Sequence, residues 1–263
     1  MHDNPEPLAG RTLFDLGVGI HESMPQFPGM ARFARRWTSD PTSEGPGTPL
    51  HFSIEAIESS LHTSTHIDAL VHPVVDGFVH GGVSASDAVA GASFKEHGVD
   101  TIAPIVARGV LLDIPRALSK ERLEDGYPVS VADIESALAR QQVSIEPGDV
   151  ALVRTGKIAD YQLGDVYLES QPGVGLDAAV WLADHGVLAL GTDTAGTEPL
   201  PLVDVTRTVH AALLVQRGIY LIENLWLEEL AAQACYESLF VCLPLMLRGA
   251  TASWVRPVAF GAV

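Results

Sequence analysis

The sequence predicts a mixed α+β protein, a single domain spanning residues 1–263 in which strands and helices alternate along the chain. Three observations lead there. Apolar runs of strand length recur from one end of the 263 residues to the other. Segments that fit helices fall between them. No Pro/Ser-rich linker, low-complexity stretch or fixed-period repeat divides the chain.

In order, strands are expected at residues 12–17, 50–59, 105–114, 149–155, 186–191, 218–222, 238–247 and 254–260. Several, such as VALVR and GIYLI, are apolar enough to be buried on both faces. Helices are expected at 131–141, 176–185, 208–216 and 225–232. The first is well delimited: Ser130 can cap it with Asp133 three residues on, and the Glu146-Pro147-Gly148-Asp149 turn lies beyond its end. Residues 21–49 and 191–206 are too rich in Pro and Gly for regular elements, and irregular stretches of that length often carry function.

Composition excludes several classes. The net charge is −17 and only sixteen Lys and Arg are spread through the chain, so nucleic acid and anionic membrane are not expected partners. The first ten residues have neither a basic n-region nor an apolar h-region, and no run of about eighteen apolar residues occurs, so a cytoplasmic location is expected. Cys235 and Cys242, the two cysteines, sit in an apolar segment and read as buried packing rather than a disulfide or zinc knuckle.

The chemistry concentrates in LHTSTHIDALVHP, residues 61–73. His62, His66, Asp68 and His72 are all even-numbered, so an extended segment would direct them to one face. A helical register would also bring His62 and His66 together, but Thr63, Thr65 and Ile67 are β-branched and favour an extended backbone. Imidazole and carboxylate on one face make a divalent metal site. Hydrolytic sites of this kind need several protein ligands and a position for water, whose pKa the metal lowers. His72 is either a further ligand or a proton carrier, since its unperturbed pKa lies close to neutrality. His51 and His80 have weaker cases.

The stretch HTSTHIDALVHPVVDG resembles the HxGTHxDAxxH signature of the cyclase-like metal-dependent hydrolases, the group that includes bacterial kynurenine formamidase and isatin hydrolase. Further landmarks keep the family's order over roughly residues 12–260: the strand segment Gly148 to Gly156, then Gly191-Thr192-Asp193-Thr194, then His210 followed by Glu223. The resemblance implies an α+β domain of the swivelling β/β/α type, with a barrel-like mixed sheet flanked by helices. It implies one or two divalent ions, Zn or Mn, per chain. His62, His66 and Asp68 would bind one metal, Asp68 would bridge to a second, and His210 with Glu223 would complete the pair, with His72 as the catalytic histidine. It also implies a homodimer or homotetramer. Two positions depart from the family pattern. Leu70 replaces a Pro of the formamidase version, and Ser64 stands where Gly is usual; Ser tolerates a strand but not a φ > 0 turn, so a slightly different local backbone is expected.

Glu223 ends the apolar strand GIYLI, where a carboxylate is costly to bury unless paired or bound to a cation. The activity that the resemblance implies is hydrolysis of a small amide, an aryl formamide or cyclic amide or imide, which would need an apolar pocket. Met24, Phe27 and Pro28 in the early loop are candidates to line it, as are Trp181 and Trp226, with Asp193 a candidate for orienting a ligand or a loop. Alternative readings are a lactone hydrolase or polyketide-type cyclase or dehydratase, and a non-catalytic metal- or ligand-binding module. No G-x-S-x-G is present to build a serine hydrolase elbow.

Overall fold

Strands buried on both faces belong at the centre of a sheet, and Val150, Ala151, Leu152 and Val153 are wholly inaccessible to solvent. In the computed structural model, which describes residues 8, 10–40, 42 and 50–262, they form β4 of a nine-stranded sheet. Its members are β1 (Thr12–Asp15), β2 (His66–Asp68), β3 (Ile105–Asp113), β4 (Val150–Arg154), β5 (Ala189–Thr192), β6 (Tyr220–Glu223), β7 (Glu237–Cys242), β8 (Ala252–Trp254) and β9 (Val258–Gly261). They lie in the order β1-β9-β7-β3-β4-β5-β6-β2-β8. β3 to β6 are parallel neighbours, and every pairing outside them is antiparallel. The sheet curls into a half-barrel, the mixed architecture expected.

Alternation along the strands feeds two cores. Ile67, Leu111, Leu152, Ile222 and Phe240 point to one. Leu112, Val153, Leu190 and Leu221 point to the other, where they meet Ile134 and Ala137 of the helix Val131–Gln141 and Ala178 and Leu182 of the helix Leu176–Asp184. The first helix begins as expected, with a capping box in which Ser130 and Asp133 satisfy each other's backbone N–H groups. A third cluster, with Met24, Phe33, Tyr161 and Tyr167, lies under the early loop and the 3₁₀ segment Lys157–Leu168, which was not anticipated.

Several expected boundaries move for identifiable reasons. The run at 254–260 splits into β8 and β9, because Pro257 interrupts it and its carbonyl accepts instead from the Leu16 N–H. The strand at 238–247 ends at Cys242, two residues before Pro244. The helix at 225–232 shrinks to Glu228–Ala232, since the Leu225 and Trp226 N–H groups bond to Thr192 and Leu16 carbonyls. The helix expected at 208–216 is π-wound over Ala211–Arg217. Residues 21–49 are not wholly irregular: Ala34–Ser39 pairs antiparallel with Ile54–Glu58, the reduced form of the strand expected at 50–59. Residues 41 and 43–49 of that stretch, like the first seven residues, lie outside the described residues. This hairpin stands apart from the main sheet, with Trp37, Ile54 and Ile57 about half exposed.

Candidate metal centre

The site is built where β2 meets β6. In their antiparallel register Glu223 is directly opposite His66, and Leu221 opposite Asp68. Ile67 turns to the first core, so His66, Asp68 and Glu223 project together from the opposite face. Only residues 66–68 are strand, however. His62 and His72 reach the site through turns, which corrects the expectation that one extended segment aligns all four groups. Ser64 makes the first turn at φ +56°, so it adopts the left-handed conformation that Ser was expected to avoid. Its hydroxyl donates to the Val18 carbonyl, and its own carbonyl accepts from His66 Nδ1 at 3.0 Å and Asn224 Nδ2 at 2.9 Å. The second turn is closed by the His72 N–H on the Ala69 carbonyl.

Around Asp68 the donor atoms converge. His66 Nε2 lies 3.5 Å from Asp68 Oδ1 and 3.4 Å from Glu223 Oε2, while His210 Nε2 lies 3.3 Å from Asp68 Oδ2 and 3.4 Å from Glu223 Oε1. His62 Nδ1 is 2.8 Å from Asp68 Oδ1 but not aligned to hydrogen-bond with it. Two trios of ligand atoms lie within 4.8 Å of one another, His62–Asp68–His72 and His66–Asp68–Glu223, sharing Asp68. Among the described residues, His62 Nδ1, His66 Nε2 and both carboxylate oxygens of Asp68 are buried without a hydrogen-bond partner. Orphaned groups of this kind are costly unless a cation satisfies them. Bonds of about 2.0–2.2 Å in tetrahedral array put donors about 3.3–3.6 Å apart, so the four spacings of 3.3–3.5 Å from His66 and His210 to the two carboxylates fit a first-row divalent ion.

The electrostatics follow from burial among like and unlike charges. Burial pushes His66 and His72 down to about 4. It also pushes Glu223 up to about 8. Burial opposes ionisation of Asp68 too, but the surrounding histidines, His72 foremost, outweigh it and hold the carboxyl well below its usual range. His210 is raised well above an ordinary histidine: burial opposes its charge, and Glu198, Glu223 and Asp68 together outweigh burial.

Glu198 was not anticipated. It is buried, accepts from His210 Nδ1 at 2.6 Å, and accepts from the His210 backbone N–H at 2.8 Å through its other oxygen. The available signal was its place in the irregular stretch 191–206. Its neighbour Thr197 donates to Glu223 Oε1 at 2.9 Å, and Thr251 Oγ1 lies 2.9 Å from His62 Nε2. His72 stacks on His62, ring centroids 3.8 Å apart, and faces His210 edge-on.

The metal-site residues open on a cavity of about 450 Å³ whose lining includes Phe27, Met30, His72, Pro73, Leu200 and Thr208. A larger one, about 690 Å³, lies beyond the wall formed by Glu198 and Leu202 and holds none of the candidate ligands. Of the expected substrate contacts, Phe27 is in the lining. Met24 is not: it is completely buried in the third core. Asp193 is likewise corrected. It is fully buried and its carboxylate is taken up by the Thr155 N–H and hydroxyl and the Gly156 N–H, so it orients a loop rather than a ligand. Trp181 stacks on His185 against the second core, Trp226 packs on the third, and Pro28 is exposed.

A family model described as "Putative cyclase" matches residues 14–199. The chain is 30% identical to a kynurenine formamidase of Paracidovorax citrulli over 248 residues, 94% of this chain and 96% of that protein. It is 29% identical to the Delftia acidovorans kynurenine formamidase over 250 residues, covering 94% and 97% of the two. A crystal structure of a novel cyclase superposes with a TM-score of 0.85 at 28% identity, covering 96% of this chain and 87% of that one. Isatin hydrolase A from Ralstonia solanacearum shares the fold, with a TM-score of 0.72 at 21% identity over 95% and 92% of the chains. With the family model spanning most of the chain and its histidine-aspartate landmarks gathered at one site, the protein belongs to the cyclase family.

Proposed function

We propose that the protein is a metal-dependent hydrolase of C–N bonds other than peptide bonds, acting on small aryl amides such as aryl formamides. The observation that carries this reading is the set of orphaned, buried donor atoms of His62, His66 and Asp68 beside a cavity of about 450 Å³. The named activity of the kynurenine formamidase relatives supports the same bond type.

His62, His66, Asp68, His210 and Glu223 would hold one or two divalent ions, zinc or manganese, with Asp68 common to both sides of the site, and His72, although within ligand reach of His62 and Asp68, is assigned to the proton instead. When bound, such an ion supplies Lewis acidity and a water of lowered pKa. His66 and His210 each commit Nδ1–H to a fixed acceptor, Ser64 O and Glu198, which leaves Nε2 as the donor to the ion. His72 moves the proton. Stacking on His62 holds its ring face, and burial keeps it uncharged at neutral pH, so a ring-edge nitrogen can accept the proton of the attacking water and return it to the leaving amine. Phe27, Met30 and Leu200 give the aryl group an apolar wall.

Chelation should abolish hydrolysis of an aryl formamide and added zinc or manganese restore it, while His72→Ala should retain metal and lose at least a hundredfold in kcat. A metal-free preparation with full turnover would sink the reading. Assays of a lactone alongside the formamide separate amide from ester-type chemistry.

The protein is further assigned a self-associated state, homodimer or homotetramer, with the hairpin as docking arm for a second copy. Its apolar residues Trp37, Ile54 and Ile57 are about half exposed, and its basic Arg35 and Arg36 project from a chain of net charge −17. Light scattering of Ile57→Lys should report a smaller particle than the wild type; an unchanged mass would refute the arm.

A further inference from the structure

We infer that the cavity selects uncharged substrates, small neutral aryl amides, and discriminates against amides that carry a carboxylate; this rests on the hydrolase reading above. Away from the candidate ligands and Glu198 the lining is apolar apart from Thr208, with Phe27, Met30, Pro73, Val74, Leu200 and Leu202 making most of it. None of the sixteen Lys and Arg lines it, and all sixteen are among the described residues. Many are committed elsewhere: Arg154 to Asp113 and Glu228, Arg108 to Asp149 and Glu237, Arg122 to Asp160, Lys157 to Asp125. Arg207 lines the neighbouring cavity, on the far side of Glu198 and Leu202.

The positive charge in the cavity is confined to its metal end, where Asp68 and Glu223 offset a bound divalent ion and Glu198 offsets His210. The net charge of −17 adds a repulsive potential to the approach. A carboxylate on the ring, at the position remote from the metal end, would therefore give up its hydration against an apolar wall that brings no Lys or Arg to meet it. A neutral ring loses nothing comparable. Discrimination here works by leaving the wrong substrate unpaired.

The test uses the metal-loaded full chain and two substrates of the same shape, 4-formamidobenzamide and 4-formamidobenzoate, which differ in charge at the ring position remote from the scissile bond. The neutral amide should be favoured at least tenfold in kcat/KM, with the difference carried mainly by KM, and Leu202→Arg should narrow the gap at least threefold by improving the benzoate. Equal or better turnover of the benzoate by the wild type overturns the inference. Calorimetric titration of the same two compounds separates it from the hydrolase reading. If neither is cleaved, that reading fails, whereas tighter binding of the benzamide by fivefold or more still upholds the charge preference and equal binding overturns it.

Discussion

A histidine can offer a cation one nitrogen, and what its other nitrogen touches decides which. His66 gives Nδ1–H to the Ser64 carbonyl, and His210 gives Nδ1–H to Glu198. The Glu198 contact is the stronger constraint, because the same carboxylate also holds the His210 backbone N–H. Glu198→Gln should weaken metal binding by about 10–100-fold with the fold intact, read as competition against a chromophoric chelator. His66→Ala should leave the purified protein with less than one equivalent of its normal metal content by elemental analysis. The cysteines behave oppositely. Burial raises the Cys235 thiol and pushes Cys242 up to about 12, so neither should react with a thiol reagent at pH 8 until denaturant is added. A native-state titre of one or two thiols would contradict this.

At the scale of elements, the connections matter more than the strands. Asp193, just past β5, fastens the end of β4 by accepting from Thr155 and Gly156. Asp193→Ala leaves buried donors unsatisfied and should cost at least about 2 kcal/mol in denaturant unfolding. Ser64 offers a sharper test of the left-handed turn. Ser64→Gly should be tolerated within about 1 kcal/mol, while Ser64→Val, a β-branched side chain at φ +56°, should be destabilising by about 2 kcal/mol or more. The parallel strands were legible because continuous apolar runs report burial on both faces. His62, His66 and Asp68 were legible because they lie within seven positions of one another. The turns that aim them were not: the conformation of Ser64 is set by Val18 and Asn224, which are distant in sequence. His210 was reachable only by family resemblance, since nothing local marks it as a ligand, whereas Glu223 stood out as a carboxylate ending the apolar run GIYLI. Glu198 escaped altogether, because its partner is fixed by where a loop crosses a helix rather than by any period.

For the molecule as a whole, the candidate metal site joins β2, from the first third of the sequence, to β6 and the helix before it, from the last quarter. An ion held there couples the two regions, so metal should raise the melting temperature and chelation lower it; at a hundredfold excess over Kd the gain is about 2.7 kcal/mol. A calorimetric scan indifferent to chelator would argue against that linkage. β2 also shows how synthesis must proceed. It is three residues long and pairs only with strands made long after it, β6 and β8. While the chain emerges from the ribosome, His66 and Asp68 therefore wait without Glu223, and the nascent protein can present no more than a fragment of its ion site. An ion that needs both Asp68 and Glu223 would therefore load late, after β6 is made, and would consolidate a fold already formed rather than guide its early steps.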